Sequence, residues 1–134
     1  MLDLAISTIN YLKTNASVTA LVNANSITTG PVDQIIEKQG QIIMPQIVVN
    51  DVSEVVNTVP LNTRQSRLQI SCWSRTSELE SLQIYEAILA VLDFQSNNTN
   101  TTHIFWQRLG GYNKAYDARM RLWNTAGDFI VWSQ

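Results

Sequence analysis

One stretch constrains most of what this chain can fold into: Arg67 to Phe94, an alternating strand, a tight polar junction and a long amphipathic helix. In Arg67-Leu68-Gln69-Ile70-Ser71-Cys72-Trp73-Ser74 the side chains alternate with period two. Leu68, Ile70 and Cys72 therefore fall on one side, and Arg67, Gln69, Ser71 and Trp73 on the other. Arg75-Thr76-Ser77 follows, and Ser77 with Glu80 has the Ser-x-x-Glu spacing of a capping box, which opens a helix. Leu79, Leu82, Ile84, Tyr85, Ile88, Leu89, Val91 and Leu92 then recur at three- and four-residue spacing as a broad apolar stripe. A strand and a helix that each have one apolar side predict a central strand-to-helix unit packed within one domain.

At 134 residues the chain is a single domain by length, residues 1–134, able to bury about two-thirds of its unfolded surface. Its 45% hydrophobic content supports a core, whereas 15% charged residues is low. Much of the remaining polarity is amide and hydroxyl, which suits a surface in contact with other protein. A net charge of −2 gives no electrostatic footprint for nucleic acid as a main ligand. The single Cys72 excludes an internal disulfide and, within a strand's apolar set, reads as a small core residue. The N-terminal stretch carries Asp3 and no basic region, so it does not read as a secretion signal. No run approaches the roughly 18 apolar residues of a membrane helix. The expectation is a soluble product of a reducing compartment, with no membrane partner.

Leu2, Ala5, Ile6, Ile9 and Leu12 share one helical face, predicting a helix over 2–13, and Asn15 or Ser17 can cap a second short turn carrying Val18, Leu21 and Val22. Residues 23–31 read as loop with a brief strand around Ile27, and residues 32–44 fit either period. Gln46 to Val52 is β-branched and reads as a strand, followed by a connection at 53–63 expected to project as an arm or mobile loop before the strand at 67–74. Gln95 to Thr102 contains no apolar residue and is expected to be solvated loop. His103–Leu109 reads as a strand, Gly110-Gly111 as a bend, and 115–123 as a further strand. Asn124–Asp128 reads as a hairpin loop with Gly127 free to take positive φ, and Phe129–Trp132 as the last strand. The order predicts an α+β fold: a mostly antiparallel sheet of about four to five strands, with helices packed on one face.

Enzyme signatures are nearly absent, and the expectation is a protein that is not an enzyme. The one histidine, His103, sits at a strand start with no nucleophile elbow anywhere in the chain. The scattered carboxylates lack metal-ligand spacing, and the glycines match no phosphate-cradling pattern. No catalytic, metal-ligating or cofactor-binding residue is assigned, and no cofactor is expected. Above this background stands the side of the sheet away from the core. If Leu68, Ile70, Cys72, Ala118, Met120 and Leu122 face the helices, the opposite face carries Arg67, Trp73, Arg119, Arg121 and Trp123. Trp and Arg dominate binding hot spots, which makes these five a candidate protein–protein interface. The competing reading is a ladder of long side chains covering an exposed sheet face within one monomer.

Taken in order, these pieces resemble the tail terminator, or tail completion, proteins of long-tailed bacteriophages, the family of the phage lambda minor tail protein U. The resemblance lies in a helix pair ending in Val18-x-x-Leu21-Val22, the strand start Pro45-Gln46-Ile47-Val48-Val49 and Leu68-Gln69-Ile70-Ser71-Cys72-Trp73-Ser74. It continues through Ile84-x-x-x-Ile88-Leu89-x-x-Leu92 and Tyr116-Asp117 to the closing Phe129-Ile130-Val131-Trp132. It covers most of the chain, with departures at 32–44 and 95–102. It implies a structural virion protein that forms a homo-oligomer, a hexameric ring capping the head-proximal end of the tail tube. Such a ring ends tail polymerisation and presents the head–tail joining surface. The implied partners are the tail tube protein and a neck or head-completion protein, and DNA passes through without specific binding. The implied place is the tail–neck region of the virion, after assembly in the host cytoplasm. Another adaptor of the neck, or a small-ligand-binding α+β domain, are the alternatives.

Overall fold

The strand at the centre of the sequence is longer than its clearest stretch: β3 runs from Thr63 to Ser74 and lies in the middle of a six-stranded sheet. The computed structural model describes residues 4–30, 44–57, 63–98 and 103–133. In chain order these form α1 (Leu4–Lys13), α2 (Ala16–Thr19), a 3-10 turn (Ala24–Ser26), β1 (Ile27–Thr28), β2 (Gln46–Asn57) and β3. Then come α3 (Glu78–Leu92), β4 (Gln95–Asn98), β5 (His103–Asp117) and β6 (Leu122–Ser133). The sheet order is β1-β2-β3-β6-β5-β4, with β1 parallel to β2 and every other pairing antiparallel. The fold is α+β with a mostly antiparallel sheet, as expected, but the sheet has six strands, more than the four to five expected, and the β1–β2 pair makes it mixed.

The register explains the layers. Leu68 pairs with Phe129, Ile70 with Val49 and Gly127, and Cys72 with Ile47 and Thr125, so one face of the sheet is apolar across three strands. α1 and α3 cover that face, and Ile84, Tyr85, Ile88 and Leu92 of α3 are buried in one core with it. Each large apolar side chain so buried contributes about 1.5–3 kcal/mol relative to exposure. The inward stripe of α3 is Ser81, Ile84, Tyr85, Ile88 and Leu92, at helical spacing, while Leu79 is 61% exposed. Ser81 takes an inward place because its hydroxyl meets the hydroxyl of buried Thr125 at 2.8 Å. In α1, Leu4 and Thr8 are buried and Ile6 is 42% exposed. Thr8 is tolerated inside because it donates to the Leu4 carbonyl at 2.7 Å and accepts from Trp106 Nε1 at 2.9 Å.

The start of α3 is built as its sequence suggests, with one variation. Ser77 Oγ accepts from the Glu80 backbone N–H at 3.0 Å, while the Glu80 carboxylate turns back to Ser74 Oγ at 2.7 Å. Ser74 in turn accepts from the N–H groups of Thr76 and Ser77. The cap therefore fastens the helix to the end of β3 as well as satisfying its first turn. At the other end Asp93 accepts from the Arg108 backbone N–H at 3.1 Å, tying the helix end to β5.

Four local expectations are corrected. The arm at 53–63 narrows, because β2 and β3 remain paired as far as Asn57 and Thr63, and residues 58–62 lie outside the described set. Gln95–Asn98 is strand rather than loop, since a sheet-edge strand facing solvent needs no apolar alternation. Gly110-Gly111 does not end a strand: it forms a β-bulge between Leu109 and Tyr112, with Gly110 at φ 76, and β5 continues to Asp117. The β5–β6 turn lies at 118–121, not at 124–128. There the Asp117 carbonyl accepts from Arg121 N–H at 2.7 Å and its carboxylate from Met120 N–H at 3.0 Å. Residues 99–102 and 31–43 lie outside the described set, as do the expectations that fall on them.

Two acids are trapped in this core. Burial pushes the Cys72 thiol well above its ordinary value and the Tyr85 phenol up to about 12. Both folded pKa values exceed the unfolded ones, so the folded state holds more protons at alkaline pH. Their stabilising effect is complete below the unfolded values and is lost as pH rises. We expect the urea midpoint to be unaffected by these groups below about pH 8 and to fall above it, first through Cys72 and then through Tyr85. Cys72→Ala should remove the early part of the fall and Tyr85→Phe the later part. An alkaline fall unchanged by both substitutions would show that neither group is responsible.

Candidate protein-interaction site

The register divides the five residues singled out in the sequence. Arg67 and Trp73 lie on the far face of the sheet, away from α1 and α3. Trp123 pairs with Ser74, itself in line with Cys72, so it lies on the helix side. Arg119 and Arg121 belong to the β5–β6 turn. The expected single face of Arg67, Trp73, Arg119, Arg121 and Trp123 is therefore not formed. The cause is the misplaced turn: once the chain reverses at 118–121, Leu122 moves to the far face and Trp123 to the helix side.

On the far face Arg67 binds Asp128 through Nε at 3.1 Å and through its terminal amine, directly over the β3–β6 junction. The Arg67 side chain is 48% exposed, so the pair contributes roughly 0–1 kcal/mol. Trp73 packs with Met44 and Met120 against Val48 and Leu122, a small apolar cluster separate from the main core. Toward the opposite end of this face stand aromatic side chains absent from the sequence-based set. Phe105 and Trp132 are cross-strand partners with ring centres 5.6 Å apart, and exposed Phe94 approaches Phe105 at 6.5 Å. Strand alternation alone could have found Phe105 and Trp132. Phe94 could not be found that way, because it sits at φ 56 in the turn between α3 and β4.

Arg121 and Trp123 do come together, and Arg75, from the junction between β3 and α3, joins them. A cavity of about 480 Å³ opens between the end of β3 and the β5–β6 turn, lined by Arg75, Tyr116, Met120, Arg121 and Trp123. Tyr116 and Trp123 are cross-strand partners with ring centres 4.6 Å apart. Arg121 takes φ 58, a conformation that costs a non-glycine residue roughly 1 kcal/mol. His103 is exposed at the start of β5, apart from this cavity's lining. Among the described residues, no group of three or more His, Cys, Asp or Glu could hold a metal ion.

No protein family's sequence profile matches the chain, and no curated protein matches it. The fold does match a chain in the solved structure of the virion of a native gene transfer agent (GTA) particle, with a TM-score of 0.67 and 12% sequence identity. The match covers 92% of this chain and 89% of that chain. At that identity the two proteins share a fold, carried by different residues.

Proposed function

We propose that this chain is a structural protein of a phage-like virion. Within that class, its reading is a tail terminator: a non-enzymatic protein that assembles as a hexameric ring on the head-proximal end of the tail tube. There it ends tube growth and offers the surface to which the head–neck complex joins. The observation that carries this reading is the fold match to a chain of a gene transfer agent virion, near full length on both sides. The order of motifs from Val18-x-x-Leu21-Val22 to Phe129-Ile130-Val131-Trp132 supports the finer assignment.

The physical character of the molecule agrees with that use. Helices cover one face of the sheet, while the other carries partly exposed Phe105 and Trp132 beside exposed Phe94, side chains suited to contact with protein. A ring needs two different surfaces that meet head to tail and close by rotation. A net charge of −2 lets DNA pass such a ring without being gripped.

Electron microscopy of particles made without the gene provides the test. The expected result is tails of uncontrolled length with no heads joined. Tails of normal length without heads would instead favour another adaptor of the neck, the runner-up reading. Normal, head-joined tails would sink both.

A further inference from the structure

We propose that the cavity at the β5–β6 turn is a docking pocket for an acidic peptide segment of a partner protein. A carboxylate sits between Arg75 and Arg121, and an adjoining apolar side chain lies against Tyr116 and Trp123. The cavity volume of about 480 Å³ falls within the usual range for sites that enclose a small group, so it takes a few side chains rather than a helix.

The charge balance selects an anion. Arg67 binds Asp128 and Arg108 binds Asp93. Arg75 and Arg121 have no carboxylate partner among the described residues, and both line this one cavity. Among the described residues, no acidic side chain lines it. A guanidinium presents a planar fork of donors that matches a carboxylate, and such charge-assisted bonds are the stronger ones. The aromatic pair beside them offers apolar surface that a free anion would leave unused. Together they fit a carboxylate carried next to an apolar side chain.

Two observations favour a partner protein over other occupants. The overall charge of −2 disfavours a nucleic-acid backbone, which needs basic surface along its length. A second copy of this chain would bring acids that are mostly engaged already. Among the described residues, Glu78 is bound to Lys114, Asp93 to Arg108, Asp128 to Arg67 and Glu80 to Ser74, while Asp117 holds the turn and Asp51 has an interaction of its own. That leaves Glu86, exposed on α3. The pocket does not depend on the tail-terminator reading: binding of a soluble peptide reports on the pocket, and particle microscopy reports on the assembly.

The test is heteronuclear NMR on the full chain at low salt, titrated with acetyl-Leu-Glu-Glu-Leu-amide, with acetyl-Leu-Gln-Gln-Leu-amide and with a short oligothymidylate. The acidic peptide is expected to shift the Trp123 indole N–H and the Arg75 and Arg121 Nε–H signals, while the glutamine peptide leaves them in place. Arg75→Gln and Arg121→Gln should each weaken binding about tenfold, with Arg121→Lys weakening it less. Both substitutions fall on exposed side chains, and the dispersion of the remaining signals shows whether the fold survives. Stronger binding of the oligonucleotide at the same residues would overturn the proposal. So would shifts that appear on concentrating the protein alone, which would make a second copy the occupant, or peptide shifts that survive both substitutions. A titration in which none of the three ligands moves these signals would overturn it as well.

Discussion

Gly127→Ala is expected to lower the melting temperature by about 10 °C, a loss of about 3 kcal/mol for a domain of this size. A Cβ built at Gly127 would lie 1.8 Å from the Tyr85 hydroxyl oxygen and 2.6 Å from the ring carbon that bears it. Neither side has room to yield. Tyr85 is buried against Phe129 and Tyr112, and Gly127 is held in the ladder between Ile70 and Tyr112. The added methyl must therefore push the helix off the sheet or force the ring out of its rotamer. A double-mutant cycle separates this clash from any general cost of placing alanine there. In a Tyr85→Ala background, itself destabilised, Gly127→Ala should cost almost nothing. Equal losses in both backgrounds would mean that the ring and the strand are not in conflict. Differential scanning calorimetry of the four proteins reads the answer.

Trp106→Ala is expected to cost about 3–5 kcal/mol, among the largest effects of any single substitution in the chain. Trp106 is fully buried, stacks on Tyr11 at 4.6 Å and donates its indole N–H to Thr8, which links α1 to β5. Thr8→Val preserves the shape of that residue but leaves the indole donor without an acceptor, so it should cost about 1–3 kcal/mol. Combining Thr8→Val with Trp106→Phe should cost less than the sum of the two single changes, because the second removes the donor that the first orphans. Urea denaturation at constant pH measures all four variants, Trp106→Phe alone included. Additive losses would show that the hydrogen bond is not what couples the two elements.

The parts of the fold that were legible in the sequence are those where local chemistry and tertiary role agree. Ser77 and Glu80 mark the start of α3 because they cap it, and Leu68, Ile70 and Cys72 mark the inward face of β3 because the residues that favour the strand also bury it. The errors arose where a residue serves a neighbour instead of its own segment. Asn124-Thr125-Ala126-Gly127-Asp128 has the composition of a turn yet forms the middle of β6. Thr125 is small and polar because it meets Ser81, and Gly127 lacks a side chain because Tyr85 lies over it. The real turn at 118–121 contains Ala, Arg and Met and depends on Asp117 for its hydrogen bonds, a weaker sign. The candidate site was legible only in its residue types. Arg121 and Trp123 were singled out, but the cavity joins them to Arg75 across a long stretch of sequence that only the sheet register brings together.

The edges of the sheet bear on how copies of this protein can be crowded without fusing. At one border β4, the four polar residues Gln95–Asn98, pairs only with His103–Trp106. The rest of the outer edge of β5, without a strand partner among the described residues, is broken by the bulge between Leu109 and Tyr112. At the other, β1 pairs only with Ile47 and Val48, and the ladder that β2 makes with β3 is interrupted by a bulge between Asp51 and Ser53. A long, flat, apolar border is the template on which foreign strands add and aggregates grow; short polar borders and bulged ones interrupt that growth. Bulged borders of this kind disfavour backbone pairing, which has no natural stopping point, and favour contacts made through side chains, whose fit can be specific and whose geometry can close.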